Sequence, residues 1–217
     1  MSLSLKTIAV AVAVLAGVGA VHAKSATTDP VLSANNAKPI VAMPAPLVPM
    51  GTMVIDISGV STYAAFGSPL NTVLNTFLGA NAYVTGIGWD VSLTTFGGSW
   101  LSEAAINFGD TDNTTGVALR VGAGQNTGGV GVGFSSGGIV DLVDLGLAFN
   151  VGGDGQLRME FYETYVDVPN GIDATFGAGS FITVQFTSAV PEPATYGMMA
   201  LGLAGLGALA RRRQRKD

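Results

Sequence analysis

From Met53 onward, apolar and polar side chains alternate in short runs separated by glycine-rich turns, the period of strands with one buried face. The clearest run covers 83–96. There Tyr83, Ile87, Trp89, Val91 and Leu93 share one parity, and Gly86, Gly88, Asp90, Ser92 and Thr94 take the other. That parity turns Trp89 inward. The next run places Trp100, Ala104, Ile106 and Phe108 on one face with Glu103 and Asn107 opposite, so the turn Gly97-Gly98-Ser99 predicts a hairpin between the two. Further strands are predicted over 54–58, 117–121, 130–134, 139–151, 156–168 and 181–187. Residues 71–78 also fit two helical turns, but Thr72, Thr76 and the flanking Gly79 favour a strand. Eight or nine strands in this stretch predict an all-β fold, a jelly-roll-like antiparallel sandwich over 51–188.

The pattern changes at both ends. Residues 1–23 carry Lys6, an apolar run from Ile8 to Val21 and a small-x-small close at Val21 and Ala23, which predicts a secretory signal peptide cut after Ala23. Residues 24–50 hold five of the nine prolines and little periodicity, and are expected to form a flexible leader. Pro44 and Pro46 argue against an edge strand over 40–48. At the other end, Val190-Pro191-Glu192-Pro193 precedes an apolar stretch, 194–210, that stops at Arg211, Arg212, Arg213, Gln214, Arg215 and Lys216. As a helix this stretch would be about 25 Å long, a minimal transmembrane span with the basic tail held in the cytoplasm.

Pro-Glu-Pro, a short small-residue span and an arginine-rich end together resemble the PEP-CTERM sorting signal, over residues 189–217 only. The resemblance implies that Pro191, Glu192 and Pro193 are recognised by an exosortase, an integral-membrane processing enzyme, in a Gram-negative, exopolysaccharide-producing host. With the signal peptide, it implies passage through the Sec translocon, transient anchoring in the inner membrane, and delivery to the outer surface or extracellular matrix. Two prolines around a glutamate cannot enter a helix or a sheet ladder, so the motif is expected to stay extended and accessible.

Composition narrows the chemistry. The chain has no cysteine, and its one histidine, His22, lies within the signal peptide, so disulfides, thiolate metal sites and imidazole-based triads lack their atoms. Residues 51–190 carry two basic side chains, Arg120 and Arg158, against twelve acidic ones, a formal charge of −10 that repels nucleic acid. A glycosidase would need two carboxylates facing one cleft. Glu160 and Glu163 are an odd number apart and so fall on opposite faces of one strand, while Glu103 could pair with Glu160 across strands. The ordinary reading of these acids is a solvated surface, and no enzymatic activity is expected.

Calcium is the one metal that this inventory of oxygen ligands suits, with Asp110, Asp112 and Asn113 as candidate ligands, although the fragment lacks the glycine and bidentate glutamate of an EF-hand loop. A polar loop tip is the alternative. Tyr162, beside Arg158, Glu160 and Thr164 and opposite Leu157, Met159 and Phe161, is the candidate sugar-stacking aromatic. The expected function is that of an exported sandwich protein, structural or exopolysaccharide-associated. The alternative is a carbohydrate-binding or glycan-hydrolysing module on the same route.

Overall fold

The computed structural model describes residues 31–34, 47–189, 199–204 and 206. Thirteen antiparallel strands occur among them: β1 Leu32–Ala34, β2 Leu47–Asp56, β3 Ser61–Thr62, β4 Thr72–Phe77, β5 Tyr83–Thr95, β6 Ala104–Gly109, β7 Gly116–Leu119, β8 Val132–Ser135, β9 Val140–Asp141, β10 Phe149–Asn150, β11 Gln156–Glu163, β12 Ala174–Phe176 and β13 Phe181–Ala189. They form a five-stranded sheet, β1-β7-β6-β11-β4, and an eight-stranded sheet, β2-β13-β5-β12-β3, in which β8, β9 and β10 also pair with β5. The architecture is consistent with a β-sandwich, and residues 71–78 do contain a strand. Two sheets of five and eight strands differ from the expected jelly roll of eight or nine.

The inner faces follow the alternation. Leu157, Met159 and Phe161 of β11, Ile106 and Phe108 of β6, and Val117 and Leu119 of β7 meet Ile87, Trp89, Val91 and Leu93 of β5 and Ile182 and Val184 of β13 in one core cluster. Phe161 meets Phe176 of the opposite sheet edge-to-face, with ring centroids 5.6 Å apart. Such a pair stabilises beyond its buried area because the electropositive ring edge meets the electronegative face.

Five expectations need correction. The expected transmembrane helix is overturned: of 194–210, the described residues 199–204 and 206 are helical, and among the described residues no helix is long and apolar enough to cross a membrane. Apolar composition suggested a span, but Gly202, within the described helical residues, weakens helix by about 1 kcal/mol relative to alanine. The hairpin of 83–108 is also absent, because β5 and β6 lie in different sheets and the Gly97-Gly98-Ser99 turn carries the chain between them. Trp100 lies before β6 and is half-buried. Its N–H donates to Glu103 Oε2 at 2.7 Å.

The alternation within β5 shifts as well. Its pairing moves from Gly86 opposite Gln185 to Val84 opposite Phe186, so Thr85 is an extra residue. Such a bulge reverses parity. Val84 and Ala82 therefore join the core cluster, and Tyr83 does not. The run 139–151 yields only the short β9 and β10. Finally, the segment 24–50 is not wholly a leader, since β1 pairs with β7 and β2 begins at Leu47. Pro49 is tolerated there because β2 is the last strand of its sheet and its register with β13 breaks between Thr187 and Ala189.

Candidate functional site

Pro191, Glu192 and Pro193, the basic residues 211–216 and the Ala23 cleavage site all lie outside the described residues. The sandwich reaches the sorting motif directly, since β13 ends at Ala189.

The loop 110–115 is closed by its own donors. Asp110 Oδ1 accepts from the N–H of Thr114 at 2.6 Å and of Thr115 at 3.2 Å, and Oδ2 accepts from the Thr114 hydroxyl. Asn113 takes a positive φ of 52° and accepts from Arg158 Nη1 at 3.1 Å. Asp112 is exposed. Among the described residues no three acidic side chains group to hold a metal ion. The loop's own N–H and O–H groups thus occupy both oxygens of Asp110, which leaves Asp112 as the one exposed carboxylate of the three candidates. Thermal melts in millimolar calcium and in chelator should coincide; a rise of several degrees in calcium, lost in Asp110→Asn, would restore the metal site.

Tyr162 stands on the outer face of the five-stranded sheet as its parity requires, but that face is roofed. Tyr162 is 9% exposed, and Phe66 meets it edge-to-face at 5.3 Å. Burial raises its phenol pKa, opposed by Arg120 and reinforced by Glu160. The same roof binds Glu160, whose Oε1 accepts from Gly67 N–H at 2.6 Å and Asn71 Nδ2 at 2.8 Å. Its Oε2 pairs with Arg158 Nη2 at 2.7 Å. Tyr162 is thus a packed side chain and offers no free ring to a sugar.

The acids expected on a solvated surface are buried instead. Glu103, Glu160 and Glu163 are 4%, 0% and 1% exposed. Glu103 Oε2 also accepts from the Ser99 hydroxyl at 3.2 Å and so closes the 99–103 turn. Glu163, at the end of β11, points between the sheets and accepts from the hydroxyl of Thr62 on β3. Burial pushes its carboxyl up to about 9; the Thr62 hydrogen bond opposes this, and the charges of Asp173, Glu103 and Asp167 add to it. At neutral pH it is an uncharged acid joining the two sheets. Its inward parity was readable from Leu157, Met159 and Phe161; the arrival of Thr62 on β3 and of Asp173 just before β12 was not. Glu160 and Glu163 do lie on opposite faces, so they share no cleft.

Residues 189–214 match the PEP-CTERM protein-sorting motif. The chain carries a PEP-CTERM sorting signal. The PEP-CTERM match covers the tail and leaves the sandwich unassigned. No curated protein matches the chain. Among solved structures it is similar to the infectious bursal disease virus VP2 subviral particle, with 14% identity, TM-score 0.32, and 74% of this chain and 37% of that chain covered. The Gt strain of the same virus gives 14% identity, TM-score 0.26, and 81% and 54% covered. The chain thus spans about half or less of these structures, and scores this low carry no conclusion about fold or role.

Proposed function

We propose that this PEP-CTERM protein is a non-enzymatic component of the cell surface or extracellular matrix, associated with exopolysaccharide. In this reading the chain is exported, held at the inner membrane during processing, and cut by an exosortase near Pro191-Glu192-Pro193. The observation that carries it is the match at 189–214, which begins where β13 ends. Removal of the tail then leaves the sandwich with all its strands. The non-enzymatic reading draws on the burial of Glu160 and Glu163 on opposite sides of β11, which gives the two carboxyls no shared cleft.

Replacing Pro191-Glu192-Pro193 by three alanines should leave the full-length form associated with the cells and remove the shortened form from the outer surface and medium. Immunoblots of cell fractions and medium read this directly. Normal shortening and release of the variant would overturn exosortase processing at this motif.

A further inference from the structure

We propose that the outer face of the eight-stranded sheet holds a cleft for a neutral sugar unit, built on Phe181, Asp90 and Ser135. The inference deepens the exopolysaccharide-associated reading and rests on it. Asp90 is the direct partner of Phe181 on β13 and of Ser135 on β8. Directly opposed residues of antiparallel strands project from the same face, so a ring, a carboxylate and a hydroxyl stand in one row. The row spans two strand spacings, about 10 Å. All three residues are exposed, whereas the neighbouring Val91 and Ile182 face the core.

The row borders a cleft of about 260 Å³ that is also lined by Gly88, Ile139 and Thr183. Its wall depends on glycine. A Cβ on Gly88 would lie 2.8 Å from the Gly138 carbonyl oxygen, and one on Gly86 would lie 2.5 Å from Ile139 Cγ2. The bare backbone of β5 therefore lets segment 136–139 settle onto the sheet. Ser136 pins that segment: its N–H donates to Trp89 O at 2.9 Å, and its Oγ accepts from Trp89 N–H at 2.8 Å.

The volume is just under the range of about 300–1,000 Å³ usual for drug-sized ligands and suits a smaller one. A pyranose presents an apolar C–H face and a rim of hydroxyls. Phe181 supplies the apolar surface, 37% exposed. Asp90, whose carboxylate receives no hydrogen bond from the described residues, supplies acceptors for hydroxyl protons. Ser135 Oγ accepts from Gly137 N–H at 3.2 Å and keeps its own proton to donate. Asp56 of β2, opposite Phe181 on its other side, adds a second exposed carboxylate. Arg120 and Arg158 belong to the five-stranded side, at the end of β7 and within β11. Among the described residues this face carries two carboxylates and no basic side chain, a balance that repels a uronic-acid polymer and accepts an uncharged one.

The test is binding of the full-length protein to an array of neutral-hexose and uronic-acid oligosaccharides, followed by titration of the strongest responder. Neutral oligosaccharides should bind. Phe181→Ala and Asp90→Asn should each weaken binding about tenfold, equivalent to about 1.4 kcal/mol, with unchanged melting temperatures. No binding to a neutral oligosaccharide, preference for uronates, or unaltered binding by both variants would overturn the cleft. Both variants should still be shortened and exported, so these outcomes leave the sorting reading intact. Oligosaccharide binding by wild-type protein that partitions away from the extracellular matrix would instead overturn the matrix-associated role.

Discussion

The protein should lose stability steadily as pH rises from about 4.5 towards 9, and Glu163→Gln should remove most of that loss. The Glu163 carboxyl sits at about 9 in the folded chain against 4.5 as its ordinary value. Between these values the folded state binds a proton that the unfolded state has released. The contribution is therefore complete below the unfolded value and gone once pH passes the folded one. The slope is about 1.4 kcal/mol per pH unit. Over several units this becomes comparable with the whole stability of a domain, roughly 5–15 kcal/mol.

Glutamine keeps an acceptor for the Thr62 hydroxyl and has no proton to lose, so the variant should be the more stable protein at pH 9. Urea unfolding of both proteins at several pH values between 5 and 9 measures the difference. Parallel pH profiles would show that Glu163 is ionised where it lies. The cause is specific: its carboxyl is buried between the sheets with three other acids near it, and Oε2 has no hydrogen-bond partner among the described residues.

Phe161→Ala should destabilise the sandwich by about 3–5 kcal/mol, the usual cost of emptying a large buried aromatic site. Phe161 is fully buried, and its ring reaches Phe176 on the opposite sheet, so truncation removes a contact between layers and leaves a cavity that strands on both sides cannot easily collapse. Phe77→Ala is the control. Phe77 is 61% exposed on the edge strand β4, and its loss should cost well under about 1 kcal/mol. Equal shifts in urea midpoint for the two variants would contradict this placement of the core.

The exported route was legible because it rests on contiguous residues. The Pro-Glu-Pro motif acts within a few positions, and no long-range folding is needed to read it. Strand parity was legible for the same reason: the two-residue period alone turned Trp89 inward and separated Glu160 from Glu163. It failed at Thr85, where a single extra residue reverses the faces, and pairing with β13 creates that bulge.

Which strands become neighbours was decided only by the tertiary structure. Nothing local distinguishes the 97–99 turn of a hairpin from the crossing between sheets that it makes, because both use the same glycines. Burial of the acids was hidden likewise. Glu160 is covered by a segment about ninety residues earlier in the chain, and Glu163 by Thr62. The row of Phe181, Asp90 and Ser135 spans three separate strands, and the sequence pattern assigned a face to Asp90 alone, opposite Trp89. Their shared register depends on hydrogen-bonded pairing between distant segments, and only the assembled sheet brings ring, carboxylate and hydroxyl to one cleft.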